Sequence, residues 1–417
     1  MRDIVEEVLE GEGEATPPGE VQDVQVAVVG VGAAGVGRLT GIGRRLRGDA
    51  FAGQVPTDVD AVGVDLPGEE TQVEEWEPTA WHVVESLERP SRGGRPHLTL
   101  ESAGRLQRFC GDELARYDVL VAAVDGTDPA AVTVAANLAA TFRGGIASPA
   151  VCVPTIEAAN PPAPLLEAES GWLPDTRDRF GPDAVVPVEH GRATELAPGG
   201  HDERGPLAGA TDTTDDPVER VAEDVTAALA EALGTRTQFG SLADDLHRFR
   251  GRVVAHVGRD EEHRAIDAEA LAGDTLATPV SSEPSDWRAG GPVLAHLRSH
   301  SPNDAAIDAA IDTARDALDE AEGEGDGAED GKVDRDGTED GETGDTRATL
   351  SSYRLTATRT HELFLFRVER PDEPEPERLP HVEFDDDDLD DDDDLFTRGE
   401  DPVTDEFDTS PGLDVIR

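Results

Sequence analysis

Gly30-Val31-Gly32-Ala33-Ala34-Gly35 has the spacing G-x-G-x-x-G. It follows the run Val24–Val29, apolar except for Gln25, and precedes an arginine-rich helical segment from Leu39 to Leu46. Glycines at this spacing let the backbone approach a phosphate closely, and the free N–H groups and dipole of the helix start attract the anion. The pattern predicts a turn over Gly30–Gly37 that binds a nucleotide, with Gly30, Gly32, Ala33, Ala34 and Gly35 as candidate contacts. It does not say which nucleotide. A dinucleotide site expects an acid about 20 residues further on. Asp65 closes a second apolar strand, Val59–Val64, but stands further along than that. An NAD(P)-dependent oxidoreductase using Gly30, Gly32, Gly35 and Asp65 is therefore one alternative.

Other constellations carry less. Asp125-Gly126-Thr127-Asp128-Pro129 joins a strand, Val119–Val124, to a helix, Pro129–Phe142, and its two aspartates suit capping of that helix. His256, Asp260 and His263 are close in sequence but read as a solvated charge cluster rather than a metal site. No Ser/His/Asp or Cys/His arrangement stands out. Cys110 and Cys152, both in apolar contexts, read as buried reduced thiols.

The elements that position these groups alternate. Strands at Val24–Val29, Val59–Val64, Val119–Val124, Ala150–Val153 and Val185–Val188 are interleaved with helices at Leu39–Leu46, Glu101–Ala115 and Pro129–Phe142. This predicts an α/β fold with a doubly wound parallel sheet. Residues 66–97 read as an irregular excursion. Asp216 as N-cap and Pro217 at the first helical position start a long helix, Val218–Leu233, with Val221, Val225, Ala228, Leu229 and Ala232 at helical spacing. A smaller α+β unit follows, with strands Arg252–Val257 and Val293–Leu297 and a helix Asp304–Leu318. It ends in a hairpin of Thr349–Thr358 and Glu362–Val368. In the second hairpin strand Phe364, Phe366 and Val368 share one face, and Leu363 and Leu365 the other.

The predicted organisation is an amphipathic N-terminal tail (1–20), a nucleotide-binding domain (21–215), a central helix (216–236) and a second domain (237–370). The second domain carries a Gly/Glu/Asp-rich disordered insertion at 320–346. An acidic disordered linker (371–411) and a short apolar-ended peptide, Gly412–Arg417, complete the chain.

The 417 residues carry a formal net charge of -55, from Asp+Glu 91 against Lys+Arg 36, and Lys332 is the only lysine. Such a chain repels itself unless salt screens it; at ~1 M salt the Debye length is only about 3 Å. The acid extends into predicted elements (Asp215, Asp216, Glu219, Glu223, Asp224), so the composition points to a salt-rich cytoplasm such as that of halophilic archaea. The charge excludes nucleic acid and anionic membrane as direct partners. No apolar run reaches the ~20 residues of a membrane span, and the acidic start lacks a signal-peptide core. A cytoplasmic protein is expected.

The order of elements resembles that of FtsZ, the tubulin-like GTPase of prokaryotic cell division, over roughly residues 22–370. Gly30-Val31-Gly32-Ala33-Ala34-Gly35-Val36-Gly37 is similar to the family's G-V-G-G-x-G-G-N loop, and Asp65 falls near the loop after its second strand. Tyr117–Val124 looks like the strand entering the tubulin signature, Asp183–Val188 like the strand before the base-contacting loop, and Phe239–Leu246 like the N-x-D-F-A-D-V segment. The resemblance implies a GTPase domain, an activation domain and assembly with itself or an FtsZ-type relative. It also implies GTP or GDP as cofactor, with Mg only alongside nucleotide, and an adaptor-binding peptide at Gly412–Arg417. It assigns phosphate contacts to Gly126 and Thr127 and catalysis to Asp244, whose family counterpart polarises water in the next subunit's site. Yet the signature G-G-G-T-G-[ST]-G is reduced to Asp125–Pro129, Ser241 replaces the first aspartate of the activating segment, and Glu189-His190 replaces an asparagine near the base. These departures predict weak or lost GTP hydrolysis in a cytoskeletal protein of cell division or cell-shape control; a non-polymerising regulator that keeps the FtsZ fold is the other alternative.

Overall fold

Val26–Val31 (β1) is apolar at every position but Gly30, and every residue is buried, so it needs cover on both faces. The computed structural model, which describes residues 24–48, 58–73, 75–89, 95–146, 148–157, 165, 181–196, 216–234, 236–237, 240–241, 251–260, 267–282, 287–299, 309, 312–313, 349–355 and 361–371, supplies that cover with helices on both sides. After β1 come helix α1 (Gly32–Gly48), β2 (Val59–Asp65), β3 (Ala80–Val83), the short pair β4 (Leu87–Glu88) and β5 (His97–Leu98), α2 (Leu100–Phe109) and β6 (Val119–Asp125). Helix α3 (Pro129–Ile146), β7 (Ala150–Ile156), β8 (Ala184–Val185), β9 (Val188–Glu189), α4 (His190–Leu196) and the long α5 (Pro217–Gly234) follow. Then come the short pair β10 (Arg236–Thr237) and β11 (Gly240–Ser241), β12 (Gly251–Asp260), α6 (Ala268–Leu276), β13 (Trp287–Ser299), β14 (Thr349–Leu355) and β15 (His361–Pro371).

Among the described residues one sheet of eleven strands runs in the order β14-β13-β15-β12-β8-β7-β6-β1-β2-β3, with β9 also on β7. From β3 to β12 its neighbours pair in parallel; β15 is antiparallel to both β12 and β13, and β14 is parallel to β13. The architecture is thus mixed α/β on a largely parallel sheet. Alternate residues of each strand face opposite layers. Val26, Val28, Val119, Val121, Val151 and Val153 pack against α1 and α5, and Ala27, Val29, Leu120, Ala122 and Cys152 against α2 and α3. The α5 layer continues onto Val253, Ala255, Phe364, Phe366 and Val368. Leu363 and Leu365 lie in the core under α6, so the two faces expected of the last strand are the ones observed.

The α5 start is as expected, with Val218 N donating to Asp216 Oδ1 at 2.9 Å. Cys110 and Cys152 are buried free thiols, each pushed up to about 12 by burial.

Other expectations need correction. β1 runs through Gly30 and Val31, and the backbone turns only at Gly32 (φ 70), so the segment Gly30–Gly37 is a strand end and a helix start rather than one loop. Residues 66–97 include the edge strand β3. The helix after them relaxes into a wide π-turn at Cys110–Leu114. The expected strand Val185–Val188 is two pieces broken at Val186-Pro187, where proline has no N–H to give the ladder. The last two strands form no hairpin, because β13 lies between β14 and β15. Of Asp304–Leu318, Ala309, Asp312 and Thr313 are described, all helical.

His256 is not solvated: it is 3% exposed on β12, with Nδ1 3.2 Å from Leu276 O and Nε2 without a partner among the described residues. Burial, aided by the Arg367 charge, lowers its pKa from the ordinary 6.5 to about 3.

Two outcomes follow. A Cβ on Gly35 would lie 2.4 Å from Ala123 O, whereas one on Gly37 meets nothing within 4 Å. Gly35→Ala should lose about 1–3 kcal/mol or more by overpacking, and Gly37→Ala should gain about 0.5–1 kcal/mol, read from denaturant midpoints in molar KCl. For His256, the unfolded chain takes up a proton below pH 6.5 that the folded chain refuses until about pH 3, so stability is lost as pH falls through that window and is unaffected above it. The slope reaches at most about 1.4 kcal/mol per pH unit. His256→Asn, which keeps a donor for Leu276 O, should flatten it in urea titrations at graded pH.

Candidate functional site

Parallel α/β sheets receive ligands outside the carboxyl ends of their strands. Here β1, β2 and β6 end together, with Val31 paired to Val64 on one side and Val124 on the other. The expected site residues Gly30, Gly32, Ala33, Ala34, Gly35, Asp65, Gly126 and Thr127 therefore meet at one edge. Asp244 lies outside the described residues, as do residues 1–20, 320–346 and Gly412–Arg417.

The glycines serve packing first. A Cβ on Gly30 would lie 2.5 Å from Gly35 O, so Gly30 and Gly35 let α1 cross the ends of β1 and β6 at backbone contact. The side of Gly32 where a Cβ would stand is lined by Ala131 of α3 at 3.3 Å and Leu66 at 3.4 Å. Ala33 and Ala34 are exposed, and no described side chain caps this first turn of α1.

The second loop is different, because its donors are already taken. Thr127 gives both its N–H (2.8 Å) and its hydroxyl (2.7 Å) to Asp125 Oδ1. Ala130 N donates to Asp128 Oδ1 at 2.8 Å, Asp128 N to Asp125 O at 3.2 Å, and Gly126 N to Thr155 O at 2.9 Å. Pro129 has no N–H to offer. The aspartates thus cap α3 and satisfy the groups a phosphate would seek.

Beneath this loop lies a pair that the sequence reading missed. Arg38 of α1 is 2% exposed. Its Nε and Nη2 fork onto Glu219 of α5 at 2.5 and 2.8 Å, Nη1 donates to Val124 O at 2.9 Å, and Nη2 to Thr155 Oγ1 at 2.9 Å. The available signal was the position of Arg38 on the buried stripe Gly35-Leu39-Ile42-Leu46, where helical spacing points an arginine inward.

Asp65 is 3% exposed. Its Oδ2 accepts from Trp81 Nε1 at 3.1 Å and from Thr71 N at 3.4 Å, and Oδ1 has no partner among the described residues. A buried carboxylate bonded to an indole is poorly placed to hold a ribose. It also adds a third acid to an edge where an anion would sit.

Among the described residues no cluster of three metal-ligating side chains forms, and no helix is long and apolar enough to cross a membrane.

No family model and no curated protein matches this sequence. Solved structures do. An FtsZ dimer from M. jannaschii is similar at TM-score 0.51 and 13% identity, over 88% of this chain and 91% of that one. TubZ from Bacillus thuringiensis serovar israelensis, solved as GDP-form protofilaments, gives 0.50 at 11% identity over 83% and 85%. CetZ from Methanosaeta thermophila gives 0.50 at 14% identity over 83% and 87%. At these identities the likeness is one of fold: the chain has the fold of the FtsZ, TubZ and CetZ structures.

Proposed function

We propose that this chain is a divergent FtsZ/tubulin-like cytoskeletal protein of a halophilic archaeon. It acts in the cytoplasm, in cell division or cell-shape control, by assembling with itself or with an FtsZ-type relative, and its GTP hydrolysis is weak or lost. The observation that carries this reading is the likeness of fold to the FtsZ dimer over 88% of the chain. Two of the neighbours named above are a dimer and protofilaments, which supports assembly. The charge of -55 with a single lysine supports a salt-rich interior.

Loss of turnover rests on the second loop, whose donors are bound by Asp125 and Asp128, and on Ser241 in place of the first acid of the activating segment. Asp244 alone is then left to act on a neighbouring subunit's site. In this reading residues 21–215 form the nucleotide-binding domain, 216–236 the central helix and 237–370 the activation-like domain. Residues 371–411 act as an acidic tether. Gly412–Arg417 docks an adaptor through Leu413, Val415 and Ile416.

Sedimentation of the purified chain in molar KCl, alone and with an FtsZ-type partner, is expected to give pelleted polymer or co-polymer. GTP turnover should be far below that of an ordinary FtsZ, and comparable turnover would overturn the loss of hydrolysis. In cells, deleting Gly412–Arg417 is expected to abolish localisation while circular dichroism of the purified chain stays unchanged; unchanged localisation would remove the peptide's role.

A further inference from the structure

The guanine nucleotide that the fold implies does not fit the residues present, and we propose that its crevice is filled from within: Arg38–Glu219 occupies one end and Asp125/Asp128 the other, so the chain excludes the nucleotide. This deepens the reading above, on which the expectation of assembly rests.

At the end nearest α5, a carboxylate at the start of a helix is a natural acceptor for the two parallel N–H groups on the edge of guanine. A guanidinium presents the same parallel pair. Both Glu219 oxygens are bonded to Arg38. Two further Arg38 donors hold Val124 O and Thr155 Oγ1, so the side chain is fixed at four points. At the other end the Asp125 and Asp128 carboxylates take the N–H groups of Thr127 and Ala130, as phosphate oxygens would.

The two ends are coupled through Thr155, whose Oγ1 accepts from Arg38 and whose carbonyl accepts from Gly126. A nucleotide entering here would have to strip a buried arginine of its partner and bring phosphates against two carboxylates. Both are unfavourable, and neither is repaid by donors the loop has left.

The test is equilibrium binding of a fluorescent GTP analogue to the full chain in molar KCl, with the ATP counterpart as control. The wild-type chain should show no saturable binding. Asp125→Gly with Asp128→Gly should bind at least about tenfold tighter than wild type. Adding Arg38→Ala should extend the gain selectively to the guanine analogue. Stoichiometric binding by the wild-type chain would overturn the proposal. So would a folded triple variant that gains nothing.

Should the triple variant fail to fold, Arg38→Lys, which keeps the charge but cannot fork onto Glu219, takes its place and should show the same guanine-selective gain. Pelleting measured in parallel separates this idea from the one beneath it. Polymer that forms equally with and without GTP supports both. Wild-type binding together with GTP-dependent polymer overturns the filled crevice and leaves assembly standing. Neither binding nor polymer overturns assembly and leaves the filled crevice standing.

Discussion

Helix α5 is half-buried in its first turn and buried from Val221 to Gly234, yet it carries four acids, and the rest of the fold is arranged to satisfy them. Glu219 is held by Arg38, Asp224 by Arg45 at 2.8 Å, and Glu231 by His296 at 3.1 Å and Arg298 at 2.8 Å. Glu223 packs so tightly on α1 that a Cβ on Gly41 would fall 1.9 Å from its carboxylate carbon. A buried carboxylate without a partner costs several kcal/mol, so these contacts constrain where each neighbouring element can sit. Arg38, Gly41 and Arg45 meet Glu219, Glu223 and Asp224 in rising order, which sets α1 and α5 running the same way. At the far end Glu231 reaches β13, whose Arg298 also touches Glu362 of β15 and lies over the Phe364 ring. One helix therefore fixes the register of the parallel strands and of the antiparallel ones beyond them.

The same packing bears on the proposed filling of the crevice. A nucleotide site needs donors that are unpaired until the ligand arrives. Here the same edge is used to anchor α1 to α5: Arg38 is spent on Glu219, and the donors of the second loop are spent on Asp125 and Asp128. The glycine segment keeps its spacing because Gly30 and Gly35 are needed for backbone contact between α1 and the strands, whether or not a phosphate is present. Packing alone accounts for Gly30 and Gly35.

Much of this was legible in the sequence. The valine runs of β1, β2, β6 and β7, and the Asp216-Pro217 start of α5, are signals strong enough to survive tertiary context. The alternation of Phe364, Phe366 and Val368 against Leu363 and Leu365 gave the two buried faces of β15 directly. The failures have physical causes. Gly30 reads as a turn residue but is a strand residue whose missing Cβ makes room for α1. β3 is four residues at a sheet edge, too short to stand out among Pro, Gly and acid. Glu223 and Asp224 count as surface acid by composition, whereas partners from elsewhere in the chain bring them inside. Arg38 is hard to single out because a charge beside a glycine motif resembles any other surface arginine, although its helical position lies on the buried stripe. Pairing order was the least legible feature: nothing local to β14 and β15 reveals that β13 separates them.

That intercalation bears on how the chain acquires its shape. β15 is made last of the described strands, yet it lies between β12 and β13, which pair with it and not with each other. Until residues 361–371 arrive, both of those strands present open backbone edges, and their mutual placement rests on contacts distant in sequence. The parallel half can form as soon as α5 is available, whereas the other half must wait. Assembly on the ribosome would then proceed in two steps separated by the synthesis of more than a hundred residues (235–360 by numbering). An interruption in that interval leaves sticky, half-built sheet exposed in a crowded cell.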